Sequence, residues 1–459
     1  MKKVPLTTEP APYLILSGFQ PSFLVCRRQP IDKKDDKGEM THEKNRAADV
    51  PELKKTGLHY GWAVLAAGTL SVFSALGLAR FGYTMVLPAM QADIGMNNAE
   101  AGLLATFNMA GYLLFSILGG ALSTHYGVRR VASLGLGLAG IGMVCTGLSG
   151  RFLAFALWRG LTGIGSGGGN IAVMGLWPAW FSSRKRGLAA GVAVSGSSLG
   201  LIFTGRFVPW LSDIQGPAAW RTCWLLFGGF SILTAVASYF ILRNRPSEMG
   251  LNVIGEEEKD QLGKRSSPEA LPLRSVYLSP SVWALGLVYS AFGFSYVIYM
   301  TFFFKFLIQD AGYTAADAGT LFMMMGWVSL LCGIVWGTAS DFMGRSKALT
   351  VVYLIQATAF GLFAMGESPL SFTLSAVLFG LSAWSVPAIV VAACGDMLGP
   401  RLSPAALGFI TLFMGTGQVL GPFVGGIIAD AAGSFSPAFL LAAAVAISGA
   451  LGSALLVKG

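Results

Sequence analysis

Charged residues are scarce in this sequence. They make up 12% of its 459 residues, whereas hydrophobic residues make up 54% and the mean hydropathy is +0.62. Soluble domains carry about twice that charged fraction, so the composition excludes an ordinary soluble globular protein. Apolar runs of about 20 residues, the length that crosses a bilayer, recur from Tyr60 onward. The chain is therefore predicted to be a polytopic membrane protein.

Cysteine and histidine are also sparse. The five cysteines are scattered without metal-ligand or disulfide spacing, and the three histidines lie outside the predicted spans. The nucleotide-binding pattern G-x-x-x-x-G-K-[ST] is absent from the sequence. No carboxylate pair or nucleophile–base pair falls at membrane depth. We therefore expect no metal, no cofactor and no enzymatic activity.

Acidic residues are missing from the interior of the apolar runs. All 23 lie in tails, loops or helix ends, and the deepest are Asp317 and Asp396. A proton relay inside a membrane normally uses Asp, Glu or His. Transport without such a relay would proceed by exchange, by facilitated movement, or with a proton carried on the substrate's own carboxylate. With arginines and no acids at depth, a central cavity would be positive and would favour an anion.

The apolar runs predict an all-α membrane protein with twelve transmembrane helices in two six-helix halves. The predicted helices lie near residues 60–88, 101–124, 130–149, 152–180, 187–211, 219–242, 281–308, 315–340, 347–366, 370–393, 404–428 and 434–457. The expected domains are a disordered N-terminal tail (1–56), an N-terminal half (57–245), a cytoplasmic linker (246–280) and a C-terminal half (281–459). Met40 offers an alternative start of translation.

The cations of the loops predict the orientation. The formal net charge is +9, and most loop cations fall on one side of the predicted bundle, among them Arg129, Arg130 and residues 184–186. Cytoplasmic loops carry this excess of Lys and Arg. Both termini are therefore expected on the cytoplasmic side of the inner membrane. Because these cations set the orientation, no nucleic-acid partner is expected.

Two loop sequences repeat at a separation of 217 positions. Residues 337–347 read G-T-A-S-D-F-M-G-R-S-K, and residues 120–130 read G-A-L-S-T-H-Y-G-V-R-R. Both resemble the loop signature G-x-x-x-D-R-x-G-R-R of the major facilitator superfamily, whose members carry it after helices 2 and 8. The first copy departs from this signature, with Thr124 and His125 in place of Asp and Arg. The resemblance implies conformational roles for Gly120, Gly127, Arg129, Arg130, Gly337, Asp341, Gly344 and Arg345.

Glycine patterns extend the resemblance to two helices. Helix 4 carries Arg159-x-x-x-Gly163-x-Gly165-x-Gly167, which is similar to the superfamily pattern R-x-x-x-G-x-G-x-G. Helix 11 carries a glycine series with a Gly-Pro step that resembles an element of proton-driven drug antiporters, although those transporters have it in helix 5. Helices that lack side chains at such positions pack closely in lipid. We interpret both faces as packing surfaces and expect hinge roles for Gly417, Gly421 and Pro422.

The resemblance also implies a central cavity lined by helices 1, 4, 7 and 10. Arg80, in the outer half of helix 1, is the main candidate for a bidentate pair with a substrate carboxylate, the alternative being a side chain that snorkels to the interface. Arg159 recurs in the superfamily across unlike substrates, so a structural role is an open alternative. An aromatic stripe on helix 7 contributes hydroxyls, and the interface explains Lys305 near its end. The predicted substrate-binding residues are Arg80, Tyr83, Asn108, Arg159, Asn170, Tyr296, Tyr299, Trp384 and Gln418.

These features predict a secondary active or facilitative transporter of a small organic anion, such as a monocarboxylate. The resemblance implies alternating access, in which two halves rock around a site near the bilayer midplane. An exporter of drug-like or amphipathic metabolites is the alternative within transport, and a membrane-embedded sensor is the alternative outside it. The expected partners are a small-molecule solute and the lipid bilayer, with the chain acting as a monomer.

Overall fold

The computed structural model describes residues 59–255 and 274–456. Within these ranges, twelve long helices follow one another. They are α1 (Gly61–Ile94), α2 (Asn98–Tyr126), α3 (Val128–Leu148), α4 (Phe152–Met174), α5 (Ser183–Gln215), α6 (Ala219–Ile241), α7 (Pro280–Gln309), α8 (Ala315–Met343), α9 (Arg345–Met365), α10 (Pro369–Ser382), α11 (Ser385–Ala432) and α12 (Ser436–Leu455). The predicted tail (1–56), the start at Met40 and most of the predicted linker lie outside the described residues.

The helices have the length and composition of membrane spans. Nine helical stretches of the described chain are long and apolar enough to cross a membrane, and the one at Lys185–Ile241 covers both α5 and α6. In lipid every backbone polar group needs an internal partner, and a helix supplies it within one segment. The predicted all-α membrane fold is therefore confirmed.

The loop repeat seen in the sequence is a repeat of helix boundaries. Helix α2 spans Asn98–Tyr126 and α8 spans Ala315–Met343, so both ends differ by 217 positions. The following helices, Val128–Leu148 and Arg345–Met365, repeat with the same offset. Both copies turn at a glycine with positive φ, Gly127 at 84° and Gly344 at 88°. A side chain would strain this left-handed backbone, so glycine is needed in both turns.

Helix starts follow from local capping. Asn97 accepts a hydrogen bond from the backbone N–H of Glu100, and the Glu100 carboxylate accepts one from the backbone N–H of Asn97. This reciprocal pair satisfies two donors at the start of α2. At the start of α8, the Thr314 side chain accepts a hydrogen bond from the backbone N–H of Asp317. The local sequence therefore determines where α2 and α8 begin, as it determines the glycine turns that follow them.

The predicted spans 10 and 11, near 370–393 and 404–428, match two stretches that are long and apolar enough to cross a membrane, Pro369–Leu398 and Ala405–Ala432. The helical backbone is divided differently from these spans, since α11 runs over Ser385–Ala432 and includes the residues between them. The break lies earlier instead, at Ala383 and Trp384, where Trp384 has φ −108° and ψ 10°. Residues 399–404 separate the two apolar stretches, at the place where the sequence predicted the boundary between spans 10 and 11.

The first part of the long connection lies against the earlier helices. After a short 3₁₀ turn at Pro246–Met249, Ile254 forms an isolated parallel bridge with Phe181. The Ile254 N–H donates to the Trp180 carbonyl at 3.0 Å, and its carbonyl accepts from the Ser182 N–H at 3.0 Å. The start of the connection is thus attached to the segment between α4 and α5.

Candidate functional site

Arg80 lies in a π-helical segment within α1. Residues Phe73–Phe81 form this segment between two α-helical stretches, and Arg80 is next to its end. Such segments are rare within α-helices and occur frequently at functional sites. Tyr83 lies in the α-helical stretch that follows this segment, with its ring against a second arginine, Arg159.

The guanidinium of Arg80 is bound by uncharged groups from three other helices. Nη1 donates to the Tyr296 hydroxyl at 3.1 Å, and Nη2 donates to the Gln418 Oε1 at 3.3 Å and contacts the Met109 sulfur at 2.8 Å. Gln418 also donates from Nε2 to the Tyr296 hydroxyl. The ring of Tyr112 lies under the Arg80 guanidinium at 4.9 Å. These contacts join α1 and α2 to α7 and α11.

Arg159 is almost fully buried, with 1% of its surface exposed. Its Nη1 donates to the Ala79 carbonyl at 2.9 Å, next to Arg80 in the chain. The rings of Tyr83 and Trp224 lie 4.5 Å and 5.1 Å from the guanidinium carbon and hold its plane. Within the described chain, its Nε and Nη2 atoms are buried and have no hydrogen-bond partner. The Arg159 side chain is therefore firmly oriented, but only one of its three guanidinium nitrogens has a hydrogen-bond partner among the described residues.

A small cavity of about 10 Å³ lies between the two arginines. That is room for about one water molecule. Besides the arginines, its lining consists of hydroxyl-bearing and apolar residues and contains no acidic residue. The lining residues are Arg80, Phe81, Tyr83, Thr84, Ala105, Met109, Arg159, Tyr296, Val297, Met300 and Thr301. The cavity is therefore positive, as the distribution of charge in the sequence predicted.

Two predicted residues each contact a residue that holds or lines the cavity. Asn108 donates from Nδ2 to the Arg159 carbonyl at 3.1 Å, which ties α2 to α4. Asn170 donates to the Tyr112 hydroxyl at 2.7 Å, and Tyr112 in turn supports Arg80. Tyr112 lies four residues after Asn108, so helical spacing on α2 was the signal that could have identified it.

Two predicted residues lie elsewhere. Tyr299 is fully buried, pairs its hydroxyl with Ser375 at 2.8 Å and packs among phenylalanines such as Phe363 and Phe379, so it does not line the cavity. Trp384 donates from Nε1 to the Ser198 hydroxyl at 3.1 Å and stacks near the cavity residue Phe81. Tyr296 and Tyr299 are three residues apart on α7, but Tyr296 bonds to Arg80 and Gln418, whereas Tyr299 pairs with Ser375.

One end of the bundle is closed by polar contacts between helices before and after the long connection. The Asp430 carboxylate accepts hydrogen bonds from the backbone N–H groups of Asn98, at 2.9 Å, and Ala99, at 2.7 Å. Lys305 donates to the side-chain oxygens of Gln91 and Asn98. Only 1% of the Lys305 surface is exposed, so its interpretation as an interfacial lysine is wrong. These residues form what we call the Asp430 closure.

The contacts continue from the Asp430 closure to the level of the arginines. Thr84 donates to the Met300 carbonyl at 2.7 Å, and Thr106 donates to the Val419 carbonyl at 2.7 Å. The bundle is therefore closed at its Asp430 end.

The two repeated loops lie at the end opposite the Asp430 closure. Arg345 pairs with Asp341 at 2.5 Å and with Asp396 at 2.8 Å. Arg129 donates from Nε to the Tyr239 carbonyl at 2.5 Å, and its guanidinium lies 4.4 Å from the Tyr239 ring. Of the other predicted loop residues, Arg130 is exposed, Gly120 lies in α2 and Gly337 in α8. Each loop thus ties its own neighbouring helices.

The glycine faces bring backbones together. A Cβ placed on Gly163 would lie 2.0 Å from the Asn108 carbonyl oxygen, and one on Gly417 would lie 2.4 Å from the Ser290 carbonyl oxygen. A Cβ placed on Gly421 would lie 2.6 Å from the Val297 side chain, and one on Gly102 would lie 2.1 Å from the Pro422 carbonyl oxygen. No side chain fits in such gaps, so these glycines permit the close helix packing that the sequence predicted. Their hinge role stays a prediction.

Comparison with known proteins identifies similar chains over most of the length of this chain. A family model described as "MFS_4: Uncharacterised MFS-type transporter YbfB" matches residues 72–453. The hexuronate transporter of Bacillus subtilis is 23% identical over 392 residues, which cover 82% of this chain and 89% of the relative. Human monocarboxylate transporter 11 is 26% identical over 409 residues, covering 85% of this chain and 81% of the relative.

The fold is similar to that of a solved transporter. A bacterial homologue of the human lysosomal transporter Spinster, crystallised in an inward-facing and occupied conformation, superposes with a TM-score of 0.71. The match covers 88% of this chain and 98% of that chain at 16% sequence identity. At this identity the likeness concerns the fold alone.

Proposed function

The chain belongs to the family of MFS-type transporters, and from that premise we propose that it carries a small organic anion across the membrane by alternating access. The observation that carries this proposal is the cavity between Arg80 and Arg159, whose lining has two guanidinium groups and no acidic residue. Ionisable side chains at membrane depth are costly and mark substrate pathways. The similarity to transporters named for hexuronates and monocarboxylates supports the same class of substrate.

Substrate binding in this proposal needs the cavity to widen. At about 10 Å³ it admits a single small group and not a whole organic acid. The residues that we propose around the anion are Arg80, Tyr296 and Gln418, which already share one hydrogen-bond network, and Arg159 with Tyr83. Because the network joins α1 to α7 and α11, entry of an anion would replace contacts between the helices that must separate.

We propose that the Asp430 closure faces the outside of the inner membrane, with both termini in the cytoplasm. The support is the positive-inside rule, since Arg129, Arg130 and Arg345 lie at the opposite end. The helices of residues 57–245 and 281–459 would then move as two halves joined by the linker 246–280. The glycine turns at 127 and 344 and the hinge residues of α11 would accommodate that motion in a monomer.

Transport into proteoliposomes tests the proposal. Purified protein would be reconstituted, loaded with unlabelled lactate or glucuronate, and assayed for uptake of the same labelled acid by counterflow. We expect concentration-dependent exchange of at least one acid and none of the neutral amides lactamide and glucuronamide. Equal uptake of acid and amide, or uptake of neither acid by protein whose folding has been verified, would refute an organic-anion transporter.

A further inference from the structure

Arg159 carries an unfilled binding edge for a carboxylate. Its two unpartnered donors, Nε and Nη2, lie on the same edge of the guanidinium, and this is the edge that pairs with both oxygens of a carboxylate. The remaining donor group, Nη1, is already used by the Ala79 carbonyl at 2.9 Å. The free edge belongs to a side chain with 1% exposure that lines the cavity.

The surroundings hold that edge in one orientation. Tyr83 and Trp224 lie against the guanidinium at 4.5 Å and 5.1 Å, and the Tyr83 hydroxyl is itself anchored to the Ala101 carbonyl at 2.7 Å. The backbone of Arg159 is anchored by Asn108. A binding group held by its neighbours loses little conformational entropy when the ligand arrives. Burial of a charged donor edge without a partner is costly, and an anion would offset that cost.

Arg80 has no comparable free edge. Its Nη1 and Nη2 atoms donate to Tyr296 and Gln418, and Met109 adds a contact to Nη2. We infer that the carboxylate of the substrate binds in the bidentate mode to the Nε–Nη2 edge of Arg159, while Arg80 contributes its positive charge beside it. This inference rests on the proposed function and exchanges the roles that the sequence suggested for the two arginines.

Paired ligands separate this inference from its alternatives. Binding of lactate and lactamide, and of glucuronate and glucuronamide, would be measured by calorimetry on the full chain in lipid nanodiscs. In the parent, the acid should bind at least about 30-fold more tightly than its amide, as for a buried bidentate pair. Arg159→Lys keeps the charge but lacks the planar edge, so the acid-to-amide ratio should fall to within about threefold.

Arg221 supplies a matched control. It is also an arginine stacked on a tryptophan, 4.3 Å from the Trp220 ring, but its donors are occupied by the carbonyls of Gly147 and Ser149 and by Asp93. Arg221→Lys should keep the parent ratio. A parent ratio retained in Arg159→Lys overturns the inference. A parent that does not distinguish acid from amide overturns the proposed function itself.

A second variant keeps the test decisive if Arg159→Lys does not fold. Arg80→Lys preserves the charge beside the cavity and leaves the Arg159 edge untouched. Its affinity for the acid should fall with the changed charge geometry, but its acid-to-amide ratio should remain above about tenfold, because the bidentate pair is retained. Collapse of the ratio in Arg80→Lys would place the carboxylate on Arg80 and overturn the inference, while an organic-anion transporter would stand.

Discussion

The Asp430 closure should determine which end of the transporter is shut. Asp430 accepts two hydrogen bonds, at 2.9 Å and 2.7 Å, from the first backbone N–H groups of α2, and therefore acts as a cap supplied by a distant helix. Capping groups and charges at a helix N-terminus stabilise by about 1–2 kcal/mol in total. Asp430→Ala removes both bonds and the charge. The equilibrium constant for closing this end should therefore fall by about 5- to 30-fold.

A distance between spin labels measures that equilibrium directly. Labels on cysteines at Ala92 and Ala432, both exposed at this end, would be placed in a variant whose native cysteines have been replaced. Double electron–electron resonance should show a short, closed distance for the parent and a larger population of long distances for Asp430→Ala. No substrate is needed, so the result is independent of what the protein carries.

Asp310 provides the matched control for this measurement. Its carboxylate also accepts hydrogen bonds from a hydroxyl and a backbone N–H, those of Ser434 at 2.7 Å and Phe435 at 2.9 Å. These contacts lie among helices after the long connection, so Asp310→Ala should leave the label distances unchanged. The reasoning is refuted if Asp430→Ala keeps the closed distance, or if both variants shift equally, since the second result would indicate general loosening.

Arg80→Met should weaken binding of lactate or glucuronate by at least about 30-fold in calorimetry, because one of the two cavity charges is lost, whereas unchanged affinity would show that Arg80 does not act on the anion. Gly344→Ala should lower stability by about 1–2 kcal/mol, read as a lower melting temperature, because φ there is 88°; Gly337→Ala, inside a helix with open space around it, is the control and should not lower the melting temperature. A cysteine at Ala92 should react with an impermeant maleimide from outside, and one at Lys185 only after permeabilisation, the reverse result inverting the orientation. A permanently charged anion without a titratable group should be carried without alkalinising the outer medium, since no acidic residue or histidine lines the cavity; alkalinisation would require a side-chain proton relay.

Properties that depend on local composition could be predicted from the sequence. The apolar runs identified a helical membrane bundle because a bilayer imposes the same length and hydropathy on every span. The repeat of 217 positions anticipated two turns that adopt the same backbone, at Gly127 and Gly344, because positive φ makes the same demand for glycine in both. The depth of Arg80 and Arg159, and the absence of acidic residues beside them, likewise followed from position in an apolar run.

Contacts between distant residues could not be predicted in this way. Lys305 was assigned to the interface because it is near a helix end, but its partner Gln91 is 214 positions away, and only packing of α7 against α1 reveals the burial. Trp384 shows the same limit, since it precedes α11 in the chain but donates to Ser198 on α5. The π-helical segment was hidden because its side chains are those of an ordinary apolar helix.

By itself, the sequence determined the bundle of apolar helices, the repeated turns and a positive interior, since each follows from the local match between residues and their solvent. The tertiary structure alone decided which arginine keeps a free binding edge. Arg80 is occupied because Gln418, 338 positions away, is packed against it. Arg159 remains half-satisfied because its neighbours Tyr83 and Trp224 offer ring faces and no acceptor to its Nε–Nη2 edge. Hydrogen-bond satisfaction depends on which groups the fold brings within about 3 Å, and no local pattern in the chain encodes that.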